Sequence, residues 1–525
     1  MSTLAGKNEG RDRVHIGQLP TGVPGLNEIL GGGLPEYSFN ILAGAPGSGK
    51  TTLAHQILFA NASPERPAIY FTVLGEPAIK MLRYQQQFTF FDQAKLDGSI
   101  RFVNLSQLVL DKDLGAVLDE IIKEVEASSA KVVVVDSFRT VVRKAQASTS
   151  EVELQGFVQR LALHLTSWQA TTFLIGEYVE GEIRDNPVFT VADGLLWLYQ
   201  SVERNSIVRK MRIMKLRGQE SVPGLHTFRI TDGGLQAFPR TFGLTAGASR
   251  AKGKRRLSTG IGELDAIMGG GIPEGDSLLA AGPSGAGKTV LGIQFIAEGL
   301  RHGEPGIVAM FEELPDEYVE RAARFGFDFS TPQKEGKLKI IYLRPLDLSV
   351  DETVHEVVNA VEEIGCKRLV IDSLVGFELA LAPGFRTDFR ESLYRMIGAL
   401  TRMGVTIIST VEVEENFTSM SLSNFTVSFL ADDILRLRYV SINGQLRKML
   451  LVVKMRRTEH SIDMWEYQIT SQGVVMGEPL RGYRGLITSI PAPWSTESGE
   501  NDSEIQHSRA PDTPKSRPKK RRRAP

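Results

Sequence analysis

The sequence predicts an α/β protein of two tandem domains, each a mostly parallel sheet flanked by helices and extended by added antiparallel strands. Three observations carry this. The chain repeats itself at long range, apolar runs of strand length alternate with helix-length amphipathic segments, and a glycine-rich turn recurs between strand and helix in both repeats.

The repeat comes first. TGVPGLNEILGGGLPE (Thr21 to Glu36) returns as TGIGELDAIMGGGIPE (Thr259 to Glu274), and GAPGSGKT (Gly44 to Thr51) as GPSGAGKT (Gly282 to Thr289). KVVVVDSF (Lys131 to Phe138) then matches KRLVIDSL (Lys367 to Leu374), and KLRG from Lys215 matches KMRR from Lys454. Four segments in one order indicate duplication of a whole domain, since solenoid repeats are far shorter, roughly 20–50 residues. The expected division is a disordered N-terminus over 1–14, a first domain over 15–242, a linker over 243–256, a second domain over 257–490 and a disordered basic tail over 491–525. The linker (LTAGASRAKGKRR) is small and basic, and the tail, ending PKSRPKKRRRAP, has too little apolar surface to offset the entropy of ordering.

Within each copy the strands are near-continuously apolar, as in FNILAG, AIYFTV, IRFVNL, KVVVVD and TTFLIGE, which suits a parallel sheet covered on both faces. Leu195 to Tyr199 with Val208 to Leu216, and Asp433 to Tyr439 with Lys448 to Lys454, read as the antiparallel additions.

Composition narrows the function classes. Lys and Arg number 61 against 62 Asp and Glu, a net charge of −1, so charge supplies no case for nucleic acid or membrane as partner. A single cysteine, Cys366, rules out an internal disulfide framework and a cysteine-cluster metal site. No apolar run reaches the ~18 residues that span a bilayer, and Met1 to Arg13 lacks an apolar signal core. A cytoplasmic location is expected.

The chemistry concentrates in the glycine-rich turns. GxxxxGK[ST] between a strand and a helix makes a nest of backbone N–H groups for phosphate. Gly47, Ser48, Gly49, Lys50, Thr51 and Thr52 form it in the first copy, and Ser284, Gly285, Ala286, Gly287, Lys288, Thr289 and Val290 in the second. ATP is the expected ligand: Lys50 and Lys288 reach for the β- and γ-phosphates, and Thr51 and Thr289 place hydroxyls for Mg2+. Asp136 and Asp372 each end an apolar strand, where a carboxylate supports the Mg2+ shell; the plainer alternative is a strand-end Asp capping a turn. In the second copy Glu312 and Glu313 end the strand that follows the helix of the glycine-rich turn, one suited to act as base while its neighbour tunes it or touches Mg2+, with Glu312 the candidate metal contact. An acidic helix start has the same appearance. Aligned on Pro77 and Pro315, the first copy has Leu74 and Gly75 there, with Glu76 one residue later. Either the strand end slips so that Glu76 serves, or the first copy binds ATP and turns it over poorly; the second is the simpler reading.

The opening TGxxxLxxxxGGGxP motif, the glycine-rich turn, the Glu pair, the IDS strand and the KMR…H segment together resemble the KaiC family of RecA-like ATPases, which includes clock autokinases. The resemblance spans roughly 15–490 in tandem form. It implies a homohexameric double ring with ATP between subunits, regulatory protein partners, and K-x-R segments acting on the neighbour's phosphates: Lys215 and Arg217 in the first copy, Lys454, Arg456 and nearby His460 in the second. Read alone, these are alternating strand charges. It also implies stacking of adenine near Phe325, which equally suits a helix-end core residue. By the same resemblance Ser428 takes the place of an autophosphorylated serine, whereas the adjacent threonine position is Phe429. Thr426 and Ser423 are alternative acceptors. A DNA-dependent motor and a non-hydrolysing ATP-dependent scaffold are the competing readings. Arg139, Arg143 and Lys144 favour the motor faintly, but the matching stretch LVGFELALAPGF is apolar, so nucleic acid is not the expected partner.

Overall fold

The computed structural model describes residues 16–73, 78–96, 98–111, 114–141, 151–183, 186–203, 206–240, 255–343, 349–381, 389–413, 431–484 and 492–493. Glu76, Arg143, Lys144, Ser423, Thr426, Ser428 and Phe429, the expected N-terminal segment, nearly all of the linker and nearly all of the tail lie outside these residues.

Each copy is built on one nine-stranded sheet. In the first copy the strands are β1 (Phe39–Gly44), β2 (Ala68–Thr72), β3 (Ile100–Asn104), β4 (Val132–Asp136), β5 (Thr171–Glu177), β6 (Gly194–Glu203), β7 (Ser206–Leu216), β8 (His226–Thr231) and β9 (Gly234–Phe238). Their order across the sheet is β3-β2-β4-β5-β1-β6-β7-β8-β9. The second copy supplies β10 (Ser277–Gly282), β11 (Gly306–Met310), β12 (Leu338–Tyr342), β13 (Arg368–Asp372), β14 (Thr406–Glu412), β15 (Asp433–Ile442), β16 (Gln445–Met455), β17 (Trp465–Thr470) and β18 (Gly473–Pro479). The order β12-β11-β13-β14-β10-β15-β16-β17-β18 repeats the first topology strand for strand. Six strands of each sheet are parallel and the last three add antiparallel. The fold class is therefore the expected one, with one more hairpin per copy than the sequence reading placed: β8–β9 and β17–β18.

The parallel strands are buried on both faces, as their composition requires. Val132, Val133, Val134 and Val135 of β4 are all fully buried, alternating between two apolar clusters on opposite sides of the sheet. The second copy has the same pair of cores. The glycine-rich turns end β1 and β10 and open helices α1 (Lys50–Asn61) and α2 (Lys288–Arg301). Helix α3 (Pro315–Arg324) follows the Glu pair, with Pro at its first position.

The extension of the first copy rests on two helices of the second, α4 (Val350–Ile364) and α5 (Phe389–Arg402). Arg229 pairs with Glu352 at 2.5 Å and Arg240 with Glu391 at 3.0 Å, while Phe238 meets His355 edge-on at 5.6 Å. Beyond the second domain, Ala492–Pro493 pair antiparallel with Tyr483–Arg484, so these two residues, assigned to the tail by composition, belong to a short sheet. No helix among the described residues is long and apolar enough to cross a membrane.

Candidate active site

In a doubly covered parallel sheet the C-terminal strand ends are where loops converge on a ligand. Both copies have a cleft there. The first, of about 330 Å3, is lined by Gly47, Gly49, Lys50, Thr51, Thr52 and Asp136 among others. The second, of about 620 Å3, is lined by Ser284, Gly285, Gly287, Lys288, Thr289, Val290, Glu312, Glu313, Phe325 and Asp372 among others. Ser48 and Ala286 stand just behind: Ser48 is buried and its hydroxyl accepts from Lys50 Nζ at 3.4 Å, and Ala286 O accepts from Tyr467 OH at 2.6 Å.

The glycines are required by geometry. Gly49 (φ 98°) and Gly287 (φ 96°) cap the two helices in the left-handed region. A Cβ on either would stand 2.7 or 2.8 Å from Ile230 Cδ1 or Ile469 Cδ1. Those isoleucines come from the extra hairpins, which thus form one wall of each cleft.

Lys50 Nζ donates to Gly44 O (3.0 Å) and Ala45 O (2.7 Å), and Lys288 Nζ to Gly282 O (2.9 Å) and Pro283 O (2.7 Å). Burial pulls both ammonium pKa values down. In the first copy Glu177 and then Asp136 oppose that shift; in the second Glu412, Asp372 and Glu312 do. Around the strand-end Asp the copies differ. Asp136 Oδ2 accepts from Thr51 Oγ1 (2.8 Å) and Tyr70 OH (2.7 Å). Burial raises its pKa, and the two hydroxyls and Lys50 oppose that rise. Asp372 Oδ1 instead accepts from Thr410 Oγ1 of β14. Tyr70 corresponds to Val308 and Thr410 to Ile175, as the strand registers show.

The Glu pair is divided. Glu312 Oε1 accepts from Ser373 Oγ at 2.9 Å, beside Asp372, and its side chain is exposed in the cleft. Glu313 is tied to Arg321 of α3 at 2.7 Å; burial raises its pKa and Arg321 opposes the rise. Phe325 ends α3, lines the same cleft with Arg321 and Arg324, and also packs partly against the core.

The K-x-R residues line neither cleft. Lys215 donates to Thr190 O (3.1 Å) and Arg217 pairs with Asp193 (3.1 Å), where β7 runs beside the start of β6. Gly194 there pairs with Asn40, four residues before Gly44, about 13 Å along the strand at ~3.3 Å per residue. Lys454 donates to Ala431 O (2.7 Å), Arg456 pairs with Asp432 (3.3 Å), and His460 Nδ1 lies 3.0 Å from Ser461 O. Lys215 and Lys454 therefore lie at the end of the sheet opposite their own glycine-rich turn.

The family whose profile is described as "ATPase: KaiC" matches residues 19–241 and again 257–481. The chain belongs to the KaiC ATPase family. Among similar proteins, "Circadian clock oscillator protein KaiC" of Picosynechococcus sp. is 29% identical over 488 residues, covering 91% of this chain and 92% of its own. "Circadian clock oscillator protein KaiC 1" of Synechocystis sp. is 29% identical over 506 residues, 94% of this chain and 95% of its own. The KaiC of Prochlorococcus marinus is 27% identical over 494 residues, with 91% and 94% covered.

Several residues of these two KaiC-type clefts escaped the sequence reading. Tyr70, Thr410, Ser373 and Arg321 act through partners brought close only by folding. Glu177 and Glu412 had a visible signal, since each ends an apolar strand (TTFLIGE, TIISTVE) at the same place in its copy. Arg139, which had faintly favoured DNA, pairs with Glu182 at 2.6 Å and donates to Glu177 O.

Proposed function

We propose that this KaiC-family chain binds and hydrolyses ATP, with turnover mainly in the second copy, and that it works as a homohexameric double ring in signalling or clock-type regulation. The observation that carries the asymmetry is Glu312, exposed in the second cleft and oriented by Ser373, next to Asp372 and Lys288. A carboxylate held by one hydroxyl keeps a free oxygen for the attacking water, whereas Glu313, neutralised by Arg321, tunes the site. The hydroxyl and carboxylate pairs Thr51–Asp136 and Thr289–Asp372 suit the inner and outer shell of Mg2+, a reading supported by the Thr51–Asp136 hydrogen bond. Mg2+ there would offset phosphate charge. Lys215, Arg217, Lys454, Arg456 and His460 do not line their own clefts, which supports action on a neighbouring subunit's nucleotide. Phe325 supports the adenine. Ser428 is the candidate acceptor for autophosphorylation.

The test is Glu312→Gln in the full chain. Phosphate release is expected to fall about 10²–10⁴-fold with bound nucleotide retained and protein-linked phosphate lost from the same samples. Unchanged turnover would overturn the assignment.

A further inference from the structure

The first copy keeps the phosphate turn and the strand-end Asp, yet Leu74 and Gly75 stand where the second has its Glu pair. Among the described residues, the carboxylates lining the first cleft are Asp136 and Glu177. Asp136 is engaged by Thr51 and Tyr70. Glu177 is held differently. It is the last residue of β5, the strand lying between β4, which ends in Asp136, and β1, which ends in the glycine-rich turn. Asp136 is in register with Ile175 and Gly44 with Glu177. With side chains alternating along a strand, Glu177 and Asp136 share the face that α1 covers, the face on which Ile175 packs against Leu53 and Ile57. Glu177 is also first among the carboxylates acting on Lys50.

The strand end is braced. Arg139 donates to Glu177 O, is paired with Glu182, and lies over the ring of Tyr178 at 4.9 Å, leaving the Glu177 carboxylate itself exposed to the cleft. The second copy repeats the placement, with Glu412 in register with Gly282.

A carboxylate so close to the phosphate lysine cannot approach a γ-phosphate directly without charge repulsion; a water between them removes the conflict. We propose that Glu177 is a further catalytic residue, the group that orients and deprotonates the attacking water in the first copy. The water oxygen bonds to Pγ as the Pγ–O bond to ADP breaks, and its proton passes to Glu177 and then to solvent, giving ADP and inorganic phosphate. This deepens the ATPase reading and rests on it.

The test uses the full chain with the second copy silenced by Glu312→Gln, so that residual phosphate release reports the first. Adding Glu177→Gln is expected to lower that residue of turnover by about tenfold or more, with affinity for a fluorescent ATP analogue within about threefold. Glu177→Asp is expected to restore part of the rate. Three results would overturn the proposal: turnover unchanged within about twofold, a loss confined to ATP affinity, or loss on Glu76→Gln but not on Glu177→Gln. Residual turnover no greater than that of a chain also carrying Lys50→Ala would overturn it too. Full activity in Glu312→Gln alone is a separate result, and it counts against the second-copy assignment rather than against Glu177.

Discussion

Asp433 gives the sharpest pH test of the second domain. It opens β15 with no exposed surface, next to Asp276, which is equally buried. Its Oδ1 accepts from Arg456 N at 3.3 Å, and Arg457 pairs with Asp276. Burial first, then the negative charges of Asp276 and Asp432, push its pKa up to about 7, against the opposing pull of the Arg456 N–H and Arg457. The folded pKa lies above the unfolded one. The associated stability is therefore fully present below the unfolded pKa of 3.8 and is lost as pH rises through about 7. At ~1.4 kcal/mol per pH unit that interval is worth roughly 4 kcal/mol by about pH 8 and less than half as much near pH 5. Asp433→Asn keeps the acceptor for Arg456 N and removes the charge. The first copy has Gly194 at this position, paired in the same way to the central strand, so the topology does not need the carboxylate. We expect the variant to gain about 2–4 kcal/mol at about pH 8 and much less near pH 5. Hydrogen exchange of peptides covering β15 and β16, corrected for intrinsic rate, reads this as roughly 30- to 1,000-fold greater protection at the higher pH. An equal gain at both pH values, or a loss at the higher one, would refute the reasoning.

Two further perturbations follow from the same comparison between copies. Arg368 is 2% exposed and donates to Glu304 (2.7 Å), Ser258 O (2.6 Å) and Phe295 O (2.9 Å), where the first copy has Val132. Arg368→Val alone leaves Glu304 with only Arg255 as a charged partner among the described residues, and Ser258 O and Phe295 O without this donor, and is expected to cost about 1–3 kcal/mol, with Glu304→Leu in the same chain recovering part of it; denaturant unfolding followed at second-domain peptides checks both. Tyr70→Phe removes a hydrogen bond to Asp136 that contributes about 1.5–3 kcal/mol and is expected to weaken ATP binding in the first copy. Adding Ile175→Thr, which supplies the donor that Thr410 provides in the second copy, should return part of that affinity in titrations with a fluorescent ATP analogue; no response to either change would count against the anchoring role.

The sheets and the glycine-rich turns were legible because their signals are local. A run such as VVVVD is apolar on both faces, and GSGKT or GAGKT leaves few alternatives for a turn between strand and helix. The hairpins β8–β9 and β17–β18 were missed because their patterning is weak: HTFRIT and WEYQIT mix exposed polar and buried residues, although Asp232-Gly233 is a recognisable turn signal. Within the clefts, Lys50, Thr51, Asp136 and their counterparts came from motif and spacing. The Tyr70 and Thr410 hydroxyls that donate to Asp136 and Asp372 did not, because each reaches its Asp from a neighbouring strand, and strand order is a property of the whole sheet. Arg321 was hidden for a different reason: it lies eight residues beyond Glu313 and reaches it only once the helix α3 has formed.

The exchange of donors around the strand-end Asp shows how the two copies should be compared. Position by position, Tyr70 against Val308 and Ile175 against Thr410 look like two unrelated losses. In space they are one conserved hydrogen bond supplied from opposite sides, by β2 in the first copy and β14 in the second. The carboxylate is held in both copies, although the strand residue that donates to it differs. Counting motifs therefore undervalues the first copy. Its missing Glu pair is the loss of one carrier, and whether chemistry is lost with it depends on what else faces the same cleft. Among the described residues Asp136 is held by two hydroxyls while the Glu177 side chain is exposed in the cleft, which is why the test of the first copy is placed at the end of β5.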